Sequence, residues 1–321
     1  MYALRGVAVS FSVFFILYGV ISIAASIFWH NVWSYGRKHS AGYCSNLLFV
    51  FRITPFIVAL VATLSFAVPS FLLFEPRATE ESVGAPVVAL ACCGIITLLF
   101  GIWNAVNALL QASRTTARWS KDAFGTCSPA IHSVAPITVI RVSATAPPLA
   151  ASGILWPRVW LSRAAESVLS ERELHSALRH EVFHVQRRDN LRKLLFRLAA
   201  FPGMTALESA WREISEMAAD DAAVSNASEA LDLAAALIKL SRLSPLQPAA
   251  ELTTALVQRP AESVNARIER LLAWNGQPQS AANEYPQKYC LGIAAATLTV
   301  ITVTYFQLLV RIHTATEWLV R

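Results

Sequence analysis

Residues 170–189, SERELHSALRHEVFHVQRRD, form the stretch that decides how the central part of this 321-residue chain folds. Ser170 is followed three positions later by Glu173, a capping-box pattern in which each side chain binds the backbone N–H of the other residue. The pattern predicts a helix that begins at Glu171 and runs to about Arg188. The two histidines near its centre therefore lie inside one helix.

Those histidines, His180 and His184, are four residues apart, which places both rings on one helix face within reach of a single metal ion. Glu181 projects from the adjacent flank. There its carboxylate can accept a proton from a zinc-bound water that attacks a peptide carbonyl. The competing interpretation is a surface helix that carries two solvated histidines.

A catalytic zinc site takes three protein ligands and keeps a further position open, so a third ligand is required. No histidine follows His184 before His313, which favours a carboxylate on a separate helix. Glu216 is the best candidate. It lies 32 positions after His184 in a predicted helix over residues 206–224, whose small side chains would allow close approach.

Other polar residues complete the candidate site. Asp220, one turn after Glu216, could accept a hydrogen bond from His180 and fix its tautomer. Glu213 and Asp221 are alternative ligands on the same predicted helix. For the group that stabilises the oxyanion, the candidates are His132, His175 and Arg267.

Composition indicates that this motif belongs to a membrane protein. The chain is 55% hydrophobic and 15% charged, with a mean hydropathy of +0.46, whereas soluble domains carry roughly a quarter of their residues charged. Four stretches are long and apolar enough to cross a bilayer, at residues 7–28, 53–74, 85–110 and 291–310. The predicted domains are three transmembrane helices with short loops (1–111), a protease domain (112–287), and a fourth transmembrane helix with a short tail (288–321).

Basic residues predict the orientation, because Lys and Arg near span ends tend to stay cytoplasmic. They lie in the first loop and after the third span: Arg37, Lys38, Arg52, Arg114, Arg118 and Lys121. The protease domain is therefore predicted to face the cytoplasm. It is close to neutral and has no basic stripe with interleaved aromatic residues, so nucleic-acid binding is not expected.

The segment around the motif is predicted to mix two strands with several helices. Residues 137–142 and 153–161 have the β-branched and aromatic character of strands, and Pro157 should place the second at an edge or bend it. A substrate could then pair with this edge strand. Residues 189–201, 228–243 and 261–274 are predicted helices, the first lying along the inner membrane face or packed on the core.

Together these features resemble the BlaR/MecR-type integral-membrane zinc peptidases, peptidase family fifty-six. The resemblance rests on the span pattern and on four segments, at residues 152–161, 180–190, 212–222 and 267–272. It implies an α-helical membrane protein with an α+β gluzincin-like zinc protease domain inserted between transmembrane helices 3 and 4, in a bacterial plasma (inner) membrane. It also implies His180, His184 and Glu216 as zinc ligands, Glu181 as general base and Asp220 as a partner of the ligands.

The resemblance further implies an endopeptidase in signal transduction that cleaves a cytosolic regulator, such as a repressor, or itself. The expected partners are this protein substrate, membrane lipid and a separate sensor protein, since only a short tail follows the fourth predicted span. One alternative is a quality-control or prenyl-protein-processing protease. The span arrangement discriminates, because those families are similar to one another in having either two spans before the motif and two after it, or seven spans in total. Another is a non-catalytic membrane transducer, against which the presence of Glu181 argues.

Overall fold

The computed structural model describes residues 2–76, 84–126, 138–143, 147–243, 252–255, 261–274 and 304–317. Within these ranges, three helices are long and apolar enough to cross a membrane. They are α1 (Tyr2–Gly36), the continuous helix Ala41–Phe74, and α4 (Ala85–Lys121). The second comprises α2 (Ala41–Ala62), a π-helical segment (Thr63–Ala67) and α3 (Val68–Phe74).

These helices keep much of their apolar surface on the outside of the protein. In the most apolar window of each, only 22% to 33% is buried, so most side chains there face outward. Exposed examples on α1 are Leu4, Val20 and Ile27. Because a continuous apolar surface of this size is unfavourable in water, the three helices fit a membrane protein.

All three helices extend beyond the apolar stretches at residues 7–28, 53–74 and 85–110. Hydropathy marks where a chain leaves the lipid, whereas the helices continue into the domain that carries the histidine motif. The end of α1 packs with Phe196 and Trp211 through Ala25 and its neighbours. The last turn of α4 places Trp119 against the sheet.

The placement of Arg52 in a loop was wrong. The second helix begins at Ala41, twelve residues before the predicted span, with Ser40 as its N-cap. Arg52 therefore lies inside a helix, and its side chain is 1% exposed. Pairing with Glu208 makes this burial possible.

The strands form one mixed sheet in the order β1-β2-β4-β3-β5. Their bounds are β1 (Ala123–Thr126), β2 (Val139–Val142), β3 (Leu149–Ser152), β4 (Arg158–Ser162) and β5 (Thr253–Ala255). The β2–β4 pair is parallel, and the other three pairs are antiparallel. Residues 153–161 are thus a turn followed by a strand, and the start of the predicted strand 137–142 lies outside the described residues.

Of the two alternatives predicted from Pro157, a bend or an edge position of the strand, the chain bends before β4, and the edge position was wrong. Gly153, with φ +97°, opens the turn, where an added Cβ would lie 2.5 Å from the carbonyl oxygen of Trp156. Beyond Pro157, β4 pairs on both sides, with β2 and with β3. Strand β4 itself therefore has no free edge, so the prediction that a substrate pairs with an edge strand at this position was wrong for β4.

Both faces of the sheet are covered, which explains why its strands lack simple alternation. Leu149, Val159 and Leu161 join the main core with helices α6 (Glu171–Gln186) and α9 (Ala227–Leu243). The opposite face is covered by Trp119 against Trp160. The sheet consequently fixes α6, the helix of the histidine motif, against a buried core.

Except for the short helix α5, which was not predicted, the remaining helices match the predicted segments with shifted ends. They are α5 (Arg163–Val168), α6 (Glu171–Gln186), α7 (Asp189–Leu198), α8 (Thr205–Ala223), α9 (Ala227–Leu243) and α10 (Ala261–Leu272). α6 ends before Arg188 because that residue takes a left-handed conformation, with φ 54°. The helix α7 packs on the core, with Phe196 buried. Of the two alternatives for residues 189–201, a helix packed on the core is therefore the one observed.

A last helix, α11, covers residues 304–317 and lies alongside α3. The Tyr305 hydroxyl donates to the Ser65 carbonyl oxygen (2.7 Å), and the Ser70 hydroxyl donates to that of Leu309 (3.0 Å). The two helices therefore run in the same direction. The first part of the predicted fourth span, residues 291–303, lies outside the described residues.

Candidate metal centre

The capping box that begins α6 is confirmed. The Ser170 hydroxyl accepts a hydrogen bond from the Glu173 N–H (3.4 Å), and the Glu173 carboxylate accepts one from the Ser170 N–H (2.7 Å). Burial of Glu173 is supported by Lys239 on α9, whose ammonium group lies 2.7 Å away. The start of the motif helix is therefore fixed by its own sequence and by the neighbouring helix.

The two histidines and Glu216 converge on one point between α6 and α8. The Nε2 atoms of His180 and His184 lie 3.2 Å apart. The Glu216 carboxylate lies 3.5 Å from the His180 Nε2 and 3.8 Å from the His184 Nε2. All three offer ligand atoms within 4.8 Å of one another. The structure thus brings together the three residues that the sequence suggested as ligands.

Each histidine has a carboxylate behind it. The Nδ1 of His180 lies 3.0 Å from Asp220, and the Nδ1 of His184 lies 2.7 Å from Asp189. A proton on each Nδ1, facing its carboxylate, leaves both Nε2 lone pairs directed at the shared point. This is the tautomer that a metal ligand requires.

Arg267, on helix α10, binds the two acids that α8 contributes to the site. Its guanidinium donates to both oxygens of Asp220, at 2.8 and 2.6 Å, and lies 3.1 Å from Glu216. With its side chain 4% exposed, it holds the two acids of α8 from behind. This role differs from the stabilisation of an oxyanion for which the sequence made it a candidate.

The alternative residues lie elsewhere. Glu213 is exposed, and Asp221 is paired with Arg270. His175 is exposed on α6, and His132 lies outside the described residues. Of the three carboxylates considered as the third ligand, only Glu216 therefore faces the two histidines.

A comparison with protein families matches residues 74–271 to the family described as BlaR1 peptidase M56. The chain belongs to this M56 family. The match covers more than half of the 321 residues and includes every residue of the site described above. A comparison with curated proteins gives no match.

M56 peptidases are membrane-associated zinc metallopeptidases, and the donor set of this chain fits that metal. In a tetrahedral zinc site with metal–nitrogen distances of about 2.0 to 2.1 Å, two ligand atoms lie about 3.3 Å apart. The observed separations of 3.2, 3.5 and 3.8 Å are close to that value. Two imidazoles and one carboxylate are also a common zinc ligand set in hydrolases.

Electrostatics favour this arrangement in the M56 site. Burial opposes charge on Asp220, yet the neighbouring Arg267 lowers the pKa of Asp220 to about 2. Burial likewise opposes a charged His180, but contacts with Asp220 and Glu216 raise the pKa of His180 to about 9. Asp220 lies behind His180 as its hydrogen-bond partner, and a carboxylate in that position orients a ligating imidazole and raises its basicity.

The sequence did not reveal the role of Asp189. Besides facing His184, its carboxylate accepts a hydrogen bond from the Ser215 hydroxyl at 2.9 Å. The left-handed conformation of Arg188 turns the chain so that Asp189 returns to the histidine. Such strain in a residue other than glycine costs roughly 1 to 3 kcal/mol and is often found at functional sites.

Lys193 is another residue whose place was missed. It follows Asp189 by one turn on α7, and its ammonium group donates to the carbonyl oxygen of Thr253 in β5 at 3.0 Å. Burial lowers the pKa of Lys193 to about 8, although the charges of Glu216 and Asp189 act in the opposite direction. The charge of Lys193 therefore interacts electrostatically with the acids of the metal centre.

Proposed function

We propose that the chain is a zinc endopeptidase of a bacterial plasma (inner) membrane, with a gluzincin-like α+β domain inserted between its third and fourth transmembrane helices. The observation that carries the proposal is the convergence of His180, His184 and Glu216 from two helices, with a buried carboxylate behind each histidine. A solvated surface helix would not bury both histidines, which are 0% and 4% exposed. A purely structural metal site would not need Glu181 beside it.

In this proposal His180, His184 and Glu216 hold the zinc ion. When bound, zinc supplies a Lewis acid that polarises a peptide carbonyl and lowers the pKa of water. The Glu181 carboxylate, buried next to His180, accepts the proton of the attacking water and passes it to the amide nitrogen of the leaving chain. Asp220 and Asp189 keep the histidine rings in the ligating orientation.

The proposed division is residues 1–111 for the first three spans, 112–287 for the protease domain and 288–321 for the last span and tail. The Lys and Arg content of the α1–α2 loop and of the end of α4 supports a cytoplasmic protease domain. Both segments lie on the protease side of the structure. The opposite end carries Glu75 and His313.

Orientation can be measured with single cysteines in a background without the five native ones. Ser241→Cys lies on the protease domain and Thr314→Cys on α11, and both positions are exposed. A membrane-impermeant maleimide should label Thr314→Cys in intact cells and Ser241→Cys only after permeabilisation. The reverse result would place the protease domain outside.

For the substrate we propose a cytosolic regulator, such as a transcriptional repressor, or the chain itself. A cytoplasmic domain tethered to the membrane reaches cytosolic and membrane-edge polypeptides. Proteomes of cells that express wild-type or Glu181→Gln protein should differ in one regulator that persists with the variant. If the proteins that accumulate are instead misfolded membrane proteins, the quality-control alternative replaces this one.

A further inference from the structure

The short connection between α7 and α8 lies among all three membrane helices. The Tyr18 hydroxyl of α1 and the guanidinium of Arg52 of α2 both donate to the carbonyl oxygen of Ala199, each at 2.8 Å. On α4, Gly101 allows close approach to the end of α7, because an added Cβ would clash with the Leu198 carbonyl oxygen. The connection that joins the protease helices is therefore held by each membrane helix.

Arg52 also binds α8 directly. Its Nε and Nη2 donate to one carboxylate oxygen of Glu208, at 3.0 and 2.7 Å. The two side chains are 1% and 12% exposed, so this is a buried ion pair. Glu208 precedes Glu216 by eight residues on the same helix, a rise of about 12 Å.

The same membrane helix binds the other metal-carrying helix. Arg187, the C-cap of α6, donates to the Ser45 hydroxyl at 3.0 Å and to the Asn46 side-chain oxygen at 2.9 Å. Arg187 follows His184 by three residues. Ser45 and Arg52 are seven residues apart, so both lie on one face of α2, two turns from each other.

From these contacts we propose that α2 sets the distance between the two halves of the metal site, with Arg52 as a positioning residue for Glu216. The inference rests on the proposed zinc site and concerns its regulation. A shift or rotation of α2 displaces α8 through Arg52 and α6 through Arg187. Because the histidines lie on α6 and Glu216 on α8, that displacement changes the ligand geometry.

A signal received in the membrane helices thereby reaches the metal through these direct contacts. A buried ion pair suits this role better than an apolar contact, since its geometry is directional and breaking it is costly. The aromatic contact of Tyr18 with Phe201, at 5.2 Å between ring centroids, holds the same connection against α1. Movement between α1 and α2 is consequently transmitted to the start of α8.

The test uses the full-length protein in detergent or nanodiscs, with Co²⁺ as a spectroscopic probe and competition to measure zinc affinity. In Arg52→Gln/Glu208→Gln both charges are removed together, so no buried charge is left without its partner. We expect a changed cobalt ligand-field spectrum and a zinc affinity about tenfold weaker. This is the low end of the loss in metal affinity that follows from mutating residues that orient metal ligands.

Arg5→Gln/Glu75→Gln is the matched control. This pair, 2.9 Å apart with side chains 9% and 7% exposed, is similarly buried but lies at the opposite end of the spans. It should leave the cobalt spectrum and the zinc affinity unchanged. An equal change in both double variants would overturn the proposal, as would a folded Arg52→Gln/Glu208→Gln protein with wild-type values.

If Arg52→Gln/Glu208→Gln does not fold, the double variant Ser45→Ala/Asn46→Ala tests the proposal instead. It removes only the neutral partners of Arg187, and the proposal requires it to alter the cobalt spectrum. Wild-type values for a folded protein would refute the proposal. Failure of the zinc site itself is distinguishable, because wild-type protein would then bind neither metal and His184→Ala would change nothing.

Discussion

Helix α8 carries two largely buried glutamates, eight residues apart, that use the same side chain for different purposes. Glu208 faces Arg52 from the membrane helix α2 and shares one oxygen between two guanidinium nitrogens. Glu216 faces two histidine nitrogens and has the guanidinium of Arg267 at its side. The first acid is neutralised by a cation, whereas the second keeps oxygens directed at a shared point with other ligands.

The difference shows that the partner, and not the residue type or its helix, decides what a buried acid does. A carboxylate that faces a guanidinium completes an ion pair and joins two elements. One that faces two imidazoles supplies the anionic member of a zinc ligand set. Each prediction below tests this contrast, and the largest effects come first.

Replacing the acid at the metal should abolish the site. Glu216→Ala is expected to lose zinc and all peptidase activity, because two histidines alone leave the metal short of a protein ligand. Metal analysis and peptide hydrolysis of purified protein measure this. Glu213→Ala, an exposed acid one turn earlier, is the control and should keep both. Full zinc in Glu216→Ala with loss in Glu213→Ala would show that the ligand was misassigned.

Glu181→Gln should separate metal binding from catalysis. The amide keeps the size of the side chain but cannot accept the proton of water, so activity should fall about 10²- to 10⁴-fold while zinc content stays unchanged. Single-turnover hydrolysis and metal analysis on the same preparation provide the comparison. An active Glu181→Gln protein would contradict the proposed mechanism.

At the membrane junction, the single and double variants should differ. Arg52→Gln leaves Glu208 buried without its guanidinium, which typically costs about 3 to 5 kcal/mol, while removal of both charges costs less. Thermal unfolding in detergent should therefore rank wild type first, the double variant next and Arg52→Gln last. A single variant as stable as the double one would mean that the buried pair contributes no such coupling.

The acids behind the histidines should have intermediate effects. Asp220→Ala and Asp189→Ala are each expected to weaken zinc affinity about 10- to 100-fold, because the imidazoles lose the partners that orient them. Ser215→Ala, which removes only the hydroxyl bonded to Asp189, is the milder control. Unchanged affinity in Asp189→Ala would remove it from the site.

The smallest effect concerns the capping acid Glu173. Burial raises the pKa of Glu173, but the hydrogen bonds from Lys239 and from the Ser170 N–H together lower it by more. The pKa of Glu173 in the folded protein therefore lies below its usual value. Its contribution is therefore present above the unfolded pKa and is lost as pH falls through the folded one. Glu173→Gln should cost about 1 kcal/mol at neutral pH, and the difference from wild type should disappear under acid conditions. Glu171→Gln, exposed in the same turn, is the control.

Local patterns in the sequence explain how much of the site could be predicted. The capping box and the four-residue spacing of His180 and His184 are properties of one helix, and both survive in the structure. Glu216 was chosen by its position on a small-residue helix, and the structure places it beside the histidines. Asp189 was missed because its role depends on the backbone conformation at Arg188, which no local pattern indicated.

The errors in the fold have a comparable cause. Residues 153–161 contain a proline, which suggested an edge strand, yet β4 lies between two partners because Pro157 falls in the turn before it. Arg52 was assigned to a loop because the predicted second span begins at residue 53. Its partner, Glu208, lies 156 positions away in the chain, so no window of sequence contains both.

By itself, the sequence determined the membrane character, the motif helix and its ligand candidates, because hydropathy, capping and helical periodicity act over a few turns of one segment. Only the tertiary structure decided which acids face the histidines, that Arg267 supports Glu216 and Asp220, and that a membrane helix binds both metal-carrying helices. Those contacts join residues distant in the chain. Their energies come from desolvation and pairing of charges, which depend on where the folded elements meet.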